Sequence, residues 1–403
     1  MRLLPLAAVT GLFAATPAFA QAPPAASYLA ATPQAAELAT PVDRITEAAD
    51  PLPSSRFWVN ADYLLWFNKK MPTPALIQTV PSGVAATGVT NLPLGAATYF
   101  PKTAKLDFGA FNGVRVTAGY NFGENWGVDV SGFVLETKTR NASLFGDGSL
   151  NSLGIARPYV QAGTGNNISL YSNLPGQYSG GVSAAADSQF YGADINARFD
   201  WYRLFCDRCD LLAGFRYYGL EEGVAVNDAS LFPGNVLNTV SDSFRTRNNY
   251  YGAQVGIHNQ WYFGRVSADL TLKGGIGSVH QTVSAVGSNS FITPTGTDTE
   301  AGGLYARGAN SGEFSRDKFA FAGEIGTNLG YSITPNIRLR VGYTINYLSS
   351  VARAGSMIDP VINDNIRFVL RPANTAVVAP TFDWGRTSAF WVQGINFGVT
   401  VGY

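Results

Sequence analysis

The chain has 403 residues, with 28 Lys plus Arg against 28 Asp plus Glu, 14% charged and 13% aromatic residues, and a mean hydropathy of +0.03. With no net charge, nothing in the bulk composition points to nucleic acid or another polyanion, and the charge content lies well below the roughly 25% of ordinary soluble domains. A chain poor in charge, rich in aromatics and still not hydrophobic on average is what a lipid-out, water-in alternation produces; the length would also hold two soluble domains, but no composition break after Arg56 marks a boundary.

Met1-Arg2, the apolar run Leu3 to Ala15 and the small-residue signature Ala18-Phe19-Ala20 read as a signal peptide over residues 1–20, removed to leave Gln21 first. No later apolar run reaches the roughly 18 residues of a membrane helix, so the exported chain is expected to be either soluble or a closed barrel. Residues 21–55, with Pro23, Pro24, Pro33, Pro41, Pro51 and Pro53 among Ala and polar residues, read as a periplasmic linker. A short helix near Asp43 to Ala49 is a further expectation.

The barrel is expected over 56–403. From Phe57, the residues Phe57, Val59, Ala61, Tyr63, Leu65 and Phe67 share one face, and Trp58, Asn60, Asp62, Leu64 and Trp66 share the other. The face with Asn60 and Asp62 is assigned to the lumen. Val114 to Asn121 alternates likewise, turns through Gly123-Glu124-Asn125 and returns from Trp126 to Ser131, a short turn of the periplasmic kind. Tyr191 to Phe199 with Leu211 to Glu222, Tyr250 to His258 with Val266 to Lys273, and Phe319 to Tyr331 with Ile337 to Leu348 repeat the pattern. Between the pairs lie stretches read as long polar outer loops, roughly 138–187, 223–244, 287–316 and 349–387. The last segment, Ile395 to Tyr403, alternates Ile395, Phe397, Val399, Val401 and Tyr403 against Asn396, Gly398, Thr400 and Gly402. An alternating strand ending on an aromatic residue suits an outer-membrane barrel; the closing strand of a secreted sandwich is the alternative.

The expected fold class is therefore all-β, a transmembrane antiparallel up-and-down β-barrel of about ten strands. Twelve is the rival count, because Tyr159 to Tyr171 or Val224 to Val240 could hide another pair. Trp126, Trp201, Tyr202, Trp261, Tyr262, Tyr331 and Tyr403 gather near the short turns as an interfacial girdle would.

Several segments together resemble the type-7 putative β-barrel porin family. They are Phe57-Trp58-Val59 with Ala61 to Trp66, Pro72, Pro74, Leu76 and Ile77; Gly214-Phe215-Arg216-Tyr217 with Leu220 and Glu222; Asn249-Tyr250-Tyr251-Gly252; Arg316-Asp317-Lys318-Phe319 with Glu324, Gly330 and Tyr331; Gly342-Tyr343 through Tyr347, Val351, Arg353, Gly355 and Asp359; and Phe390 to Gly394. Gly323 and Ala354 stand where the pattern has Pro, and Met357 where it has Gln, departures that bear on loop conformation. The resemblance spans nearly the whole mature chain. It implies an outer-membrane barrel regarded as a pore, with no established substrate, cofactor or catalytic residue. It also implies outer-membrane lipid and, through the C-terminal strand, the barrel-assembly machinery as partners; the oligomeric state is not legible.

By strand parity Asp62, Arg115, Asp129, Asp194, Arg198, Arg216, Asp269, Lys273, Glu324, Arg338 and Arg340 point into the lumen. In a barrel of about ten strands the interior is nearly filled by side chains, so charges of both signs are expected to pair, with Arg338 and Arg340 facing carboxylates such as Glu324. This set reads either as a salt-bridged plug or as a narrow, weakly selective passage for small polar solutes or ions. An enzyme is disfavoured: His258 lies by a short turn, and His280 has Ser278 and Thr282 about 7 Å away along its strand, too far for a direct hydrogen bond. Cys206-Asp207-Arg208-Cys209 is a lone C-x-x-C, short of the four ligands of a structural zinc site, and reads as a local disulfide. No metal or cofactor site is expected. Channel and plugged surface-recognition barrel remain as the two readings.

Overall fold

The computed structural model describes residues 56–82, 96–123, 125–162, 164–201, 206–362 and 384–403; the signal-peptide, linker and short-helix expectations, and Tyr202, lie outside them. Ten antiparallel strands form a closed ring: β1 (Phe57–Asn68), β2 (Ala110–Asn121), β3 (Trp126–Leu135), β4 (Ser179–Asp200), β5 (Arg208–Phe232), β6 (Val236–Phe263), β7 (Val266–Thr293), β8 (Gly312–Thr334), β9 (Ile337–Val351) and β10 (Ser388–Gly402). Each pairs with its neighbour in sequence, and β10 returns to β1, from Trp58↔Gly402 to Asn68↔Val392. Closure leaves no ladder edge facing lipid, where an unpaired amide would cost several kcal/mol. Two single-turn 3-10 helices, Gly308–Asn310 and Ala354–Met357, are the helical elements among the described residues.

The alternation sets the lipid face. On β6 the outward positions run Tyr251, Ala253, Val255, Ile257, Asn259 and Trp261. Ten residue steps of about 3.4 Å at a tilt of about 40° rise roughly 26 Å, the height of an outer-membrane apolar band. The far rim is marked by a row of three tyrosines at one level on the adjacent strands β4, β5 and β6, Tyr191, Tyr217 and Tyr251, with centroids 6.1 and 5.2 Å apart, a level that serves as the tyrosine ring of the barrel. Their hydroxyls turn away from the apolar band: Tyr191 donates to Glu221 at 2.9 Å and Tyr217 to Asn249 at 2.9 Å. At the short-turn rim Trp126 packs on Phe199 (4.8 Å) and Tyr120 on Phe122 (5.1 Å). Tyr262, expected in this girdle, instead points into the lumen beneath Arg338, because it falls on the opposite parity from Trp261.

Above the tyrosine ring the strands continue, which corrects the long polar loops expected over 138–187, 223–244 and 287–316. β4 starts at Ser179, β5 runs to Phe232, β6 starts at Val236 and β7 runs to Thr293. Val224 to Val240 hides no new pair; it is the extension of β5 and β6 through a turn in which Gly234 (φ 85°) and Asn235 (φ 59°) supply successive positive φ values, as tight hairpin turns require. Strands Lys138–Gly146 and Gly296–Ala301 join this wall along β4 and β7, making a twelve-stranded sheet of which ten strands close the ring.

The polarity of the alternation inverts at the same ring. Above it many outward positions are polar, as in Ser183, Asp187, Asn227, Arg245, Arg247, His280 and Thr282. The inward ones are buried; Val182, Ala184, Ala186, Val224, Val226, Val240, Phe244, Val279, Val283 and Ala285 form an apolar surface interrupted by the buried polar groups Glu222, Asp228, Asp242 and Asn248. Against this inner face pack the connecting segments, carrying Leu76, Ile77, Phe100, Phe108, Ile155, Tyr159, Ile168, Leu304, Tyr305, Met357 and Ile358. Tyr159 to Tyr171 does hold a strand pair, Gly154–Gln161 with Asn167–Asn173, but it belongs to a separate small sheet with Ile77–Val80 and Ala97–Phe100. Val361–Ile362 lies parallel to the same sheet, within the stretch expected as the last loop.

The boundary has a measurable signature. Val255→Arg, in the middle of the lipid band, should cost about 2–4 kcal/mol of unfolding free energy in phospholipid vesicles. Val286→Arg, equally outward but above the tyrosine ring, should change it by less than about 0.5 kcal/mol. Equal costs would place the boundary elsewhere.

Candidate functional site

The eleven parity-assigned residues Asp62, Arg115, Asp129, Asp194, Arg198, Arg216, Asp269, Lys273, Glu324, Arg338 and Arg340 all lie on the inward face; nine line one polar cavity, and Asp194 and Arg216 join the same network. They divide into layers. Nearest the short turns, Arg198 contacts Asp210 through both Nε (3.1 Å) and Nη2, with Asp129 at 3.8 Å, and Arg208 Nε donates to Asp210 at 3.1 Å. Asp210, fully buried, therefore serves two guanidinium groups. It was missed from sequence because it sits at the very start of β5. Asn196 Nδ2 donates to Asp129 at 2.8 Å, and the Arg198 guanidinium lies 5.2 Å from the Trp58 ring centre.

The next layer is centred on Arg216. It pairs with Glu324, and with Asp194 at 3.4 Å, while Lys273 meets Asp194 at 3.1 Å and Arg115 stands 3.8 Å from Glu324. Arg216 Nη1 also donates to the Tyr218 hydroxyl at 2.7 Å, which donates to Asn346 at 2.7 Å. Arg338 and Arg340 do not face Glu324. The β8–β9 register sets Arg340 opposite Gly330 and Arg338 opposite Ser332, six or more residues, about 20 Å of strand, from Glu324. Arg338 reaches Ser332 (3.4 Å) and the Tyr262 ring (5.2 Å); Arg340 has no hydrogen bond or ion pair among the described residues.

Directly above, aromatic side chains fill the bore. Phe133 stacks on Trp66 (5.3 Å), Phe190 (5.4 Å) and Tyr218 (6.0 Å), and Phe190 on Tyr218 (5.2 Å) and Phe390 (5.1 Å). Trp66, Phe190, Tyr218 and Phe390 are each at most 2% exposed. The Arg115 guanidinium caps this layer from below, 5.0 Å from Trp66, and that of Arg353 from above, 5.3 Å from Phe390.

Two buried ionic anchors then tie the inward-folded segments to the tall wall. Arg353 grips Glu222 with Nε at 2.9 and 2.8 Å and Nη2 at 2.7 Å, and the preceding residue, Ala352, exchanges hydrogen bonds with Asn248. Higher up, Arg157 bridges Asp228 (2.9 Å) and Asp242 (2.5 Å), and Asp242 also accepts the backbone amides of Leu304, Tyr305 and Ala306 at 3.0, 2.9 and 2.7 Å. Burial lifts the Asp228 carboxyl above the usual carboxylate range against the pull of Arg157. Periodicity did not find either anchor, because Arg157 sits on a strand of the small inner sheet and Arg353 just before a 3-10 turn, both outside the strands of the ring.

The histidines are engaged separately: His258 Nδ1 lies 2.9 Å from Thr271 Oγ1 inside, and His280 Nδ1 lies 3.0 Å from Asp317 outside. Cys206 and Cys209 are joined as a disulfide at the β4–β5 turn, with Cα atoms 6.0 Å apart.

A closed ten-stranded transmembrane barrel with a packed, charge-paired bore defines a small outer-membrane-type β-barrel protein. The Putative beta barrel porin-7 family matches residues 58–403, and the chain belongs to it. No curated protein matches. Among solved structures it is similar to the outer membrane protease OmpT from Escherichia coli (8% identity, 86% of this chain and 96% of that one, TM-score 0.42). It is also similar to the toluene transporter TodX of P. putida (8% identity, 89% and 93%, TM-score 0.14) and a FadL homologue of Pseudomonas aeruginosa (8%, 86% and 89%, TM-score 0.19).

Glu324→Ala should lower unfolding free energy by about 3–5 kcal/mol, since Arg216 loses its closest counter-charge in a buried site. Arg340→Ala should change it by less than about 1 kcal/mol. Chemical unfolding of the two variants in the same detergent checks this, and similar losses would contradict the assigned pairing.

Proposed function

We propose that the protein is an outer-membrane barrel that is closed at rest and carries a rigid extracellular head for surface recognition. The observation that carries this reading is the aromatic layer of Trp66, Phe133, Phe190, Tyr218 and Phe390 across the bore, backed by segments locked through Arg353 to Glu222 and Arg157 to Asp228 and Asp242. Each anchor is a buried, multiply hydrogen-bonded charge pair whose disruption leaves an uncompensated charge, so the closure is a stable state of the fold. The head is the polar-out, apolar-in sheet above the tyrosine ring, and it presents no catalytic group in this reading. Export by the signal peptide, insertion by the barrel-assembly machinery through the last strand and a surrounding of outer-membrane lipid complete the proposal.

A second reading, passive passage of small polar solutes or ions, is favoured by the family membership and by the polar cavity of the lower bore. It requires the inward-folded segments to leave. Planar-bilayer recording separates the two. Wild-type protein should be silent, and the double variant Glu222→Ala/Arg353→Ala, which removes both charges of one anchor, should show stepwise conductance that scales with salt. Steady wild-type conductance would favour the passage over the closed barrel.

A further inference from the structure

The lower bore holds a cavity of about 170 Å³ whose lining carries unpartnered groups of both signs. On β1, Asn60 and Asp62 point into it, 9% and 6% exposed, and the Oδ1 atom of each has no hydrogen-bond partner. Asp62 forms no ion pair within 4 Å among the described residues, although Arg115 is its cross-strand neighbour; Arg115 is turned instead toward Glu324 and the Trp66 ring. Two strands away on β9, Arg340 has its Nε buried and unpartnered and Arg338 reaches Ser332 and the Tyr262 ring; the carboxylate both arginines act on is the buried Asp269, which accepts from Gln260 at 3.3 Å and lies beyond ion-pair distance of either.

The register sets these groups face to face. Asp62 and Arg340 both pair with Gly398 of β10, one from each side, and Asn60 and Arg338 both pair with Thr400. Two strand spacings put the paired backbones roughly 10 Å apart. Between Asp62 and Arg340 stands Gly398, and the Asp62 carboxylate leans over it into the place a side chain would take. The carboxylate and guanidinium nevertheless remain beyond ion-pair distance.

A buried charge without a partner is costly, and here an acceptor pair and a donor pair are held apart across a notch. Asp62 and Asp269 against Arg338 and Arg340 leave this part of the lining neutral, so a simple cation or a simple anion would leave an excess charge buried there. The cavity's volume of about 170 Å³ extends from Trp58 to Glu324, so its share between Asp62 and Arg340 admits only a solute of a few non-hydrogen atoms. We propose that this notch binds a small zwitterion of the free α-amino acid type, its ammonium on the Asp62 carboxylate and Asn60 Oδ1, its carboxylate on the guanidinium groups of Arg340 and Arg338, where planar two-point pairing is available. The site lies below the aromatic layer, so the inference stands whether or not the barrel conducts.

Equilibrium dialysis of radiolabelled glycine against the full chain folded in detergent tests this. Saturable one-to-one binding is expected, weakened at least tenfold by Asp62→Asn and by Arg340→Gln in variants shown to be folded by circular dichroism. Methylamine and acetate, each carrying one of the two charges, should compete at least tenfold more weakly than unlabelled glycine, and this series on the wild type decides the matter if a variant does not fold. Absence of saturable binding, equal competition by acetate or methylamine, or unchanged affinity in both folded variants would each overturn the proposal.

Discussion

Lipid offers no hydrogen bonds to a backbone, and that constraint governs the molecule. It forces the sheet to close, from β1 through β10 and back to Trp58↔Gly402, and closure with strict two-residue alternation leaves each side chain either in lipid or in the bore. A slip of one residue in any ladder would carry Asp129, Arg198 or Arg216 into the acyl chains, so the register is held by the cost of burying those charges in hydrocarbon.

The interior obeys a second rule that depends on the first. A ring of ten strands is too narrow to leave its inward groups in bulk water, and the chain meets this differently at different heights. Within the lipid band Arg115, Asp129, Asp194, Arg198, Lys273 and Glu324 are assembled into clusters around Asp210 and Arg216, while Asp62, Asp269, Arg338 and Arg340 stand outside them. Above the tyrosine ring, where the outside is wet, the sheet behaves as a soluble one and turns its apolar face inward onto the connecting segments. The aromatic layer lies at the junction, with arginines stacked on it from both sides. A barrel of this kind need not choose between a membrane protein's packing rules and a soluble protein's; it uses one set below Tyr191, Tyr217 and Tyr251 and the other above.

The lower half was legible in the sequence. Alternation located all ten strands of the ring, and parity alone set Asp62, Arg115, Asp129 and their partners inside. The upper half was not, because the sense of alternation reverses: in Val182-Ser183-Ala184-Ala185-Ala186-Asp187 the outward residues Ser183 and Asp187 are polar and the inward Val182, Ala184 and Ala186 small and apolar, a pattern easily taken for a loop. Side-chain pairing was also beyond periodicity. An arginine can reach across a narrow bore, so Arg216 on β5 finds Glu324 on β8, three strands along the ring, while Arg340 on the adjacent β9 does not. Arg157 and Arg353 meet their carboxylates across 71 to 131 residues of sequence, from segments where no regular repeat predicts a direction.

The reversal of polarity at the tyrosine ring is the claim on which the closed barrel and the extracellular head both rest. It is tested most directly by a spin-label accessibility scan along β7, one label at a time from position 266 to 290, in lipid vesicles with oxygen and a water-soluble nickel complex as relaxants. The account predicts that even positions from 266 to 276 respond to oxygen, that even positions from 280 to 290 respond to nickel, and that odd positions from 279 to 285 are shielded from both. Nickel access at Val279, Val283 and Ala285 in the folded protein would mean a water-filled upper bore and would contradict it.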